Sequence, residues 1–593
     1  MRSKLVLFLI VAGWAVFYAC TEMKPPPEKE IAEKLLMQID SFSVVCHELG
    51  TAIDSGRADQ GRLQQLFLAA RLAYKKIEWA AEYFDPTAAK SVNGPPVQEV
   101  EPDGRVIDPA GLQVMEALLF PVYDTAHRAD IHAQLGRIQN ACANYKRHFA
   151  NIDILDWQVF DATKLEVFRI MTLGITGFDN PLSQKSMVES AASIESMKEV
   201  LGRYPGTLGE RFAAAGRYLS ANPDFNSFDR ARFITDYANT LSIGISELQQ
   251  SLKIHVTRYN RLLNQDAKTL FDTNAFNVNA YVPDYVSFAT PDRIALGKLL
   301  FADPALSATG TRSCQTCHQP ARAFTDGLQK NTVLGNDALL PRNTPTLINA
   351  ALQPAQFYDL RVNTLEDQSR TVVQNNAEMH GDMKLSVQRL WQDTVYRRLF
   401  GIAFPKKGRV GIDTLEVMNA IGSFVRSLVF LNSRFDAYMR GDKRALTGSE
   451  VNGFNLFMGK ARCGTCHYMP LFNGTFPPRY MKIETEVIGV PGKADGAVID
   501  SDPGRYAIVQ TESFRHAFKT TTVRNAARTA PYMHNGVFTT LEQVLDFYNK
   551  GGGKGLGMNV GNQTLPFDKL DLTEQERADI IAFIHALDSK DGQ

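Results

Sequence analysis

The sequence Cys-x-x-Cys-His occurs twice, as Cys314-Gln-Thr-Cys-His318 and Cys463-Gly-Thr-Cys-His467, and no other feature of the chain limits its folding so sharply. Two thiols spaced by two residues reach the two vinyl groups of a haem while the adjacent histidine reaches the iron. Each copy therefore reads as a c-type haem attachment site, with His318 and His467 as proximal ligands. A zinc site built from two Cys-x-x-Cys halves, or a redox dithiol, would use the same cysteines but would leave the histidine after each pair unexplained. A Leu- and Phe-rich helical run precedes each copy, at 296–301 and 454–457. The copies lie too far apart for a solenoid, so the region reads as two related domains, 285–440 and 441–593. The chain closes on a helix that starts at a capping box, Thr573 with Glu576, and offers Ile580, Ile581, Phe583, Ile584 and Leu587 to a core.

At the other end, Arg2 and Lys4 precede an apolar run over 5–19 that stops at Cys20. The run is shorter than the roughly 20 residues of a spanning helix. Residues 1–20 read as an export signal, either a plain one or, as we prefer, that of a bacterial lipoprotein whose Cys20 receives lipid. Pro25, Pro26 and Pro27 would then stiffen a tether over 21–30. Export suits covalent haem, which is attached outside the cytoplasm. Two further cysteines, Cys46 and Cys142, would in an oxidising compartment either form a bridge or stay as buried thiols. Basic and acidic residues balance at 64 each, which argues against nucleic acid or an anionic membrane face as a partner.

Residues 31–275 carry the helical period, as in Leu63, Leu66, Phe67, Ala70, Tyr74 and Ile77. Turn-rich stretches interrupt it at 91–109 and at Asn222-Pro223, and an irregular connector follows over 277–291. The expected fold is mainly α, an N-terminal helical bundle followed by two cytochrome-c-like all-α haem domains.

Several ordered motifs add a resemblance: Ala295-Leu-Gly-Lys-Leu-Leu-Phe, Ala323-Phe-Thr-Asp-Gly327, Arg342-Asn-Thr-Pro-Thr346, Gln356-Phe-Tyr-Asp-Leu-Arg361 and Ala530-Pro-Tyr-Met-His534. Together with the haem boxes, residues 285–590 resemble the bacterial di-haem cytochrome c peroxidase family, which includes MauG. The resemblance implies a first haem that binds hydrogen peroxide and a second that handles electrons from a cytochrome c or similar periplasmic donor. It places the family's distal residues at Gln368, which would hold the peroxide, and Glu378, which would move a proton between its oxygens. Tyr358 stands where the family has a tryptophan between the haems. No histidine occurs from 319 to 379, so the loop ligand of many members is missing and the first iron should be open without prior reduction.

The family's Met ligand to the second iron falls at Tyr548, the MauG arrangement, with Met533 and Met481 as substitutes. Tyr548 also shares a helical face with Leu541, Val544 and Leu545 and could be core. A calcium ion is implied at Asn343 and at the backbone carbonyls of Thr529 and Pro531. In the bundle, Gly111-Leu-Gln-Val-Met-Glu116 weakly resembles the imelysin-like signature Gly-x-His-x-x-Glu, with Gln113 replacing the histidine. Three functions follow: a peroxidase that turns hydrogen peroxide into water, a MauG-like oxidase of a protein or organic substrate, and a lipid-anchored di-haem electron carrier.

Overall fold

The computed structural model describes residues 25–100, 106–406, 410–566 and 568–590, so the export signal, Cys20 and the start of the tether lie outside it. Leu63, Leu66, Phe67, Ala70 and Tyr74 form the buried face of helix Gln60–Lys75, which starts where the Asp59 side chain accepts from the Arg62 N–H at 2.7 Å. This helix and helix Arg128–Asn151 both pack on helix Pro27–Ser55. The long helix begins at Pro27, whose fixed φ and missing N–H suit a first helical turn, so the expected tether over 21–30 ends four residues early. Cys46 and Cys142 sit on these facing helices as buried, unbridged thiols. Burial pushes the Cys142 thiol up to about 12. Within the turn-rich stretch at 91–109, helix Pro86–Asn93 ends and Glu99–Val100 pairs antiparallel with Val106–Ile107.

The bundle also buries charge. Arg71 forks onto Glu189 at 2.5 and 2.8 Å, and Arg169 onto Asp179 at 2.9 and 2.8 Å. Lys75 bridges Glu78 and Asp179 at 2.7 and 2.6 Å. Glu116 accepts from the Ser183 N–H and Gln113 donates to the Asn93 carbonyl, so the Gly111-to-Glu116 motif is spent on bonds inside the bundle. Such groups are tolerated only when mutually paired.

Each haem-binding half is built on a crossing of two helices. In the first, Pro291–Ala302 crosses Thr414–Arg426, and in the second, Gly448–Phe457 crosses Glu574–Ala586. Glycine permits the closest approach in both. A methyl at Gly297 would overlap the Ala420 carbonyl, and one at Gly453 the Asp579 carbonyl, with Phe424 and Phe583 beside them. The last helix starts as its capping box requires, Thr573 accepting from the Glu576 N–H and Glu576 from the Thr573 N–H. Ile580, Phe583, Ile584 and Leu587 are buried, whereas Ile581 is half-buried.

The bundle and the second half share one continuous hydrophobic core. Helix Arg434–Met439 belongs to it: Phe435 packs on Phe454, Phe472 and Phe583, and Asp436 is buried in a fork with Arg524. The expected boundary at 440 therefore falls too late in the chain. The first half keeps separate cores around Leu300 and Phe424. Among the described residues no helix is long and apolar enough to cross a membrane.

Candidate haem sites and the seam between them

In the first half Cys314–Cys317 forms a single helical turn, and His318 follows it with its N–H bonded to the Cys314 carbonyl at 2.9 Å. Ala323 and Phe324 both take left-handed conformations, φ 51° and 59°, which folds the next loop back and aims the Phe324 carbonyl at the ring. Nδ1 of His318 lies 2.9 Å from that oxygen. A carbonyl only accepts, so Nδ1 carries the proton and Nε2 keeps its lone pair for a metal. Burial lowers the affinity of His318 for a second proton and so favours the neutral ring.

Helix Leu365–Gln374 is pinned over this half by the buried fork of Glu366 on Arg426, 2.8 Å in each arm, and by Asn419 donating to Glu366 at 2.9 Å. Gln368 stands half-buried on this helix, and Glu378 on the turn beyond its end. Asn375 Nδ2 donates to Glu378 Oε1 at 2.7 Å, and Arg312 Nη1 donates to the Glu378 carbonyl at 3.1 Å. Burial raises the Glu378 carboxyl above the ordinary carboxylate range, while Arg361, Asn375 and Arg312 oppose the rise. Its charge is felt at both Cys314 and Cys317, whereas Gln368 makes no hydrogen bond to it.

The second half repeats the arrangement with a tighter turn, Cys463–Thr465. His467 Nδ1 lies 3.0 Å from the Thr521 carbonyl and 3.4 Å from that of Phe472, which again leaves Nε2 free, and burial takes the ring down to about 4. Two thiols and an imidazole nitrogen on one turn are the donor set a covalent haem needs, and both turns fit it. The phenol of Tyr548, on helix Leu541–Asn549, is raised above its ordinary value by burial and then by the thiols of Cys463 and Cys466. Met533 packs in the same apolar cluster as Tyr548, whereas Met481 is 68 % exposed.

Between the halves, the Tyr358 carbonyl accepts from the Lys519 N–H at 2.7 Å. Burial raises the Tyr358 phenol and Arg342 opposes the rise. Asn343 donates through its backbone N–H to the His534 carbonyl at 2.7 Å, which lays it along the 529–534 segment. Its side-chain Nδ2 donates to the Leu328 carbonyl at 2.9 Å.

Residues 291–444 match the di-haem cytochrome c peroxidase family. The chain is 37 % identical over 298 residues to the methylamine utilization protein MauG of Methylorubrum extorquens, spanning 50 % of this chain and 78 % of that protein. The chain belongs to the di-haem cytochrome c peroxidase and MauG family. It is also 33 % identical over 299 residues to the cytochrome c551 peroxidase of Pseudomonas aeruginosa, spanning 50 % of this chain and 78 % of that one. Among solved structures it is similar to a MauG-like protein associated with microbial copper homeostasis, at 30 % identity and a TM-score of 0.47, covering 52 % of this chain and 94 % of the other.

Membership makes this di-haem peroxidase relative an oxidoreductase with two c-type haems, and its fold is mainly helical. Sequence reasoning missed three of its polar features. Glu486, whose charge reaches both Cys466 and Tyr548, lies on a two-residue strand that no pattern announces. The Asp500 to His534 contact at 3.2 Å and the Arg342 fork on Asp502 join segments far apart in sequence. The buried charges Arg71 and Lys75 did leave a signal, since they share the helical face of Phe67 and Tyr74.

Proposed function

We propose that this protein reduces hydrogen peroxide to water in the periplasm, with electrons taken one at a time from a cytochrome c or similar small redox donor. The observation that carries the reading is Glu378, a carboxyl raised by burial, oriented by Asn375 and close enough to Cys314 and Cys317 for its charge to be felt there. Haem held by Cys314, Cys317 and His318 would supply an iron for peroxide to bind and the electrons that cleave it. With Oε1 fixed by Asn375, Glu378 Oε2 takes a proton from one peroxide oxygen and returns it to the other, and Gln368 orients the peroxide by hydrogen bonding. Cys463, Cys466 and His467 would hold the second haem, Tyr548 would offer its phenol oxygen to that iron, and Tyr358 would stand as an aromatic between the two groups. Asn343 and the carbonyls of Thr529 and Pro531 offer the oxygen ligands that suit calcium, and Cys20 anchors the exported chain through lipid.

A second reading, a MauG-like oxidase of a protein or organic substrate, is favoured by Tyr548, since a phenolate ligand lowers the potential of the second haem where a methionine raises it. The deciding experiment is an EPR spectrum of the oxidised protein before and after one equivalent of peroxide, with Glu378→Gln in parallel. A high-spin ferric signal lost on peroxide addition, and retained in the variant, is the expected result. Two low-spin haems that ignore peroxide even after reduction would leave the electron carrier as the better account. Turnover with reduced cytochrome c then separates peroxidase from oxidase.

A further inference from the structure

Tyr358 stands on a tight loop whose ends, Gln356 and Val362, pair across it, and whose flanking residues Phe357 and Leu360 are left-handed, with φ 66° and 56°. Non-glycine residues keep such conformations only where their surroundings impose them. Two of the restraints come from the second half and fall on the loop's backbone: the Lys519 N–H donates to the Tyr358 carbonyl at 2.7 Å, and the Arg505 side chain donates through Nη1 to the Asp359 carbonyl at 2.9 Å. A third is Arg361, which lies 3.5 Å over the Phe357 ring and pairs with Asp359 at 2.8 Å.

The remaining restraint is ionic and spans the seam. Arg342 Nη1 donates to Asp359 Oδ2 at 2.6 Å, while Nε and Nη2 fork onto Asp502 at 2.7 and 2.9 Å. Asp359 follows Tyr358 in the chain and Asp502 belongs to the second half, so one guanidinium holds a carboxylate from each side. The geometry is the one arginine makes and lysine does not, a planar fork with a further N–H to spare. The guanidinium lies 5.5 Å from the Phe518 ring centroid, and Phe518 stacks at 3.6 Å on His534, itself bonded to Asp500 at 3.2 Å. The side chains of Arg342, Asp359 and Asp502 are all largely shielded from water, where an ion pair is screened far less than on a surface.

We propose that Arg342 is the positioning residue for electron passage between the two haem-binding halves, clamping the Tyr358 loop of the first half to the Asp502 segment of the second. This rests on the reading of the chain as a di-haem protein with Tyr358 between the haems. In the step it serves, one electron leaves the second haem, which is oxidised by one, and reaches the first, which is reduced by one. No bond forms or breaks, and the guanidinium stays protonated throughout. Electron passage weakens steeply with distance, so a loop that drifts from its place slows the step without touching the peroxide site.

The test uses the full chain with both haems attached and needs no peroxide. A laser flash reduces one haem through a photoreduced flavin, and absorbance follows equilibration with the other, while hydrogen exchange reports on amides 356–362. Arg342→Gln is expected to slow equilibration at least tenfold and to speed exchange in that loop, with both haem spectra unchanged. Arg342→Lys should recover part of the rate. Equilibration at the wild-type rate in Arg342→Gln overturns the proposal, and so does full recovery in Arg342→Lys, which would assign the effect to charge alone. If Arg342→Gln does not fold, Asp502→Asn removes only the far carboxylate, and a several-fold slowing supports the clamp while an unchanged rate overturns it. A wild-type protein inert to peroxide would sink the peroxidase reading and leave this measurement standing.

Discussion

In the first half a buried carboxyl, Glu378, influences the thiols of Cys314 and Cys317 and is itself influenced by Arg361 and Arg312, whereas in the second the thiols of Cys463 and Cys466 act on Tyr548, together with Glu486. Apart from Leu352, the buried apolar residues of the first half pack in cores separate from the bundle, whereas the second half shares its largest core with the bundle and keeps two smaller ones. One scaffold thus carries two different polar settings. A raised carboxyl with cations near it suits proton movement, and a phenol acted on by the thiol turn of a half packed against the bundle suits a site that only passes electrons. The lesson is that the crossing and the histidine geometry make a haem seat, while the residues facing the seat decide its work.

The sharpest way to break this comparison is to remove each seat in turn. Cys314→Ser with Cys317→Ser should abolish attachment of one haem and all reaction with peroxide. Cys463→Ser with Cys466→Ser should abolish attachment of the other yet leave peroxide reacting once at the first iron, as haem content and stopped-flow absorbance would show. Next in size, Glu378→Gln should cut the rate constant for peroxide by about 10²–10⁴-fold, the usual worth of general acid–base catalysis, while Tyr548→Phe leaves that step within a small factor. An equal loss from both would end the division of labour.

At the level of the scaffold, Gly297→Ala and Gly453→Ala should each cost about 1–3 kcal/mol through overpacking, since each methyl meets a carbonyl in a matching place. Melting temperatures check this, and a neutral outcome at one glycine alone would show that the two crossings are not equivalent. The smallest effect concerns pH. The proton acceptor must be the carboxylate, and burial raises the Glu378 pKa above 4.5, so the peroxide rate should climb with pH through a midpoint above that value. Asn375→Ala removes a bond that favours the carboxylate and should push the midpoint higher still, read from stopped-flow rates across pH.

Features carried by local spacing were legible in the sequence. The haem turns, the helical face of Leu63 to Tyr74 and the Thr573 cap depend on neighbours within a few residues, and the structure places them accordingly. Helix Arg434–Met439 was given to the wrong half because its allegiance is set by Phe454, Phe583 and Arg524, none of them near it in sequence. The tether failed for a local reason, since proline both stiffens an extended chain and opens a helix, and the apolar residues that follow Pro27 decided for the helix. The seam was legible only in part, since Arg342 and Asp359 stand in motifs of the family resemblance while their partner Asp502 stands in none. Arg342, Asp359 and Asp502 are ordinary charged residues until folding brings them together across 160 residues of chain.

The core that runs unbroken from the bundle into the second half has a mechanical meaning. Packed interiors transmit strain, so the bundle and the part of the second half that shares its core should move together more readily than either moves with the first half. The plane of easiest slip then lies between the haem-binding halves, across the path an electron must take, and not where the extra domain joins. Conduction through such a junction would vary with the looseness of the joint, and cooling or added osmolyte would act on this molecule as a tightening screw.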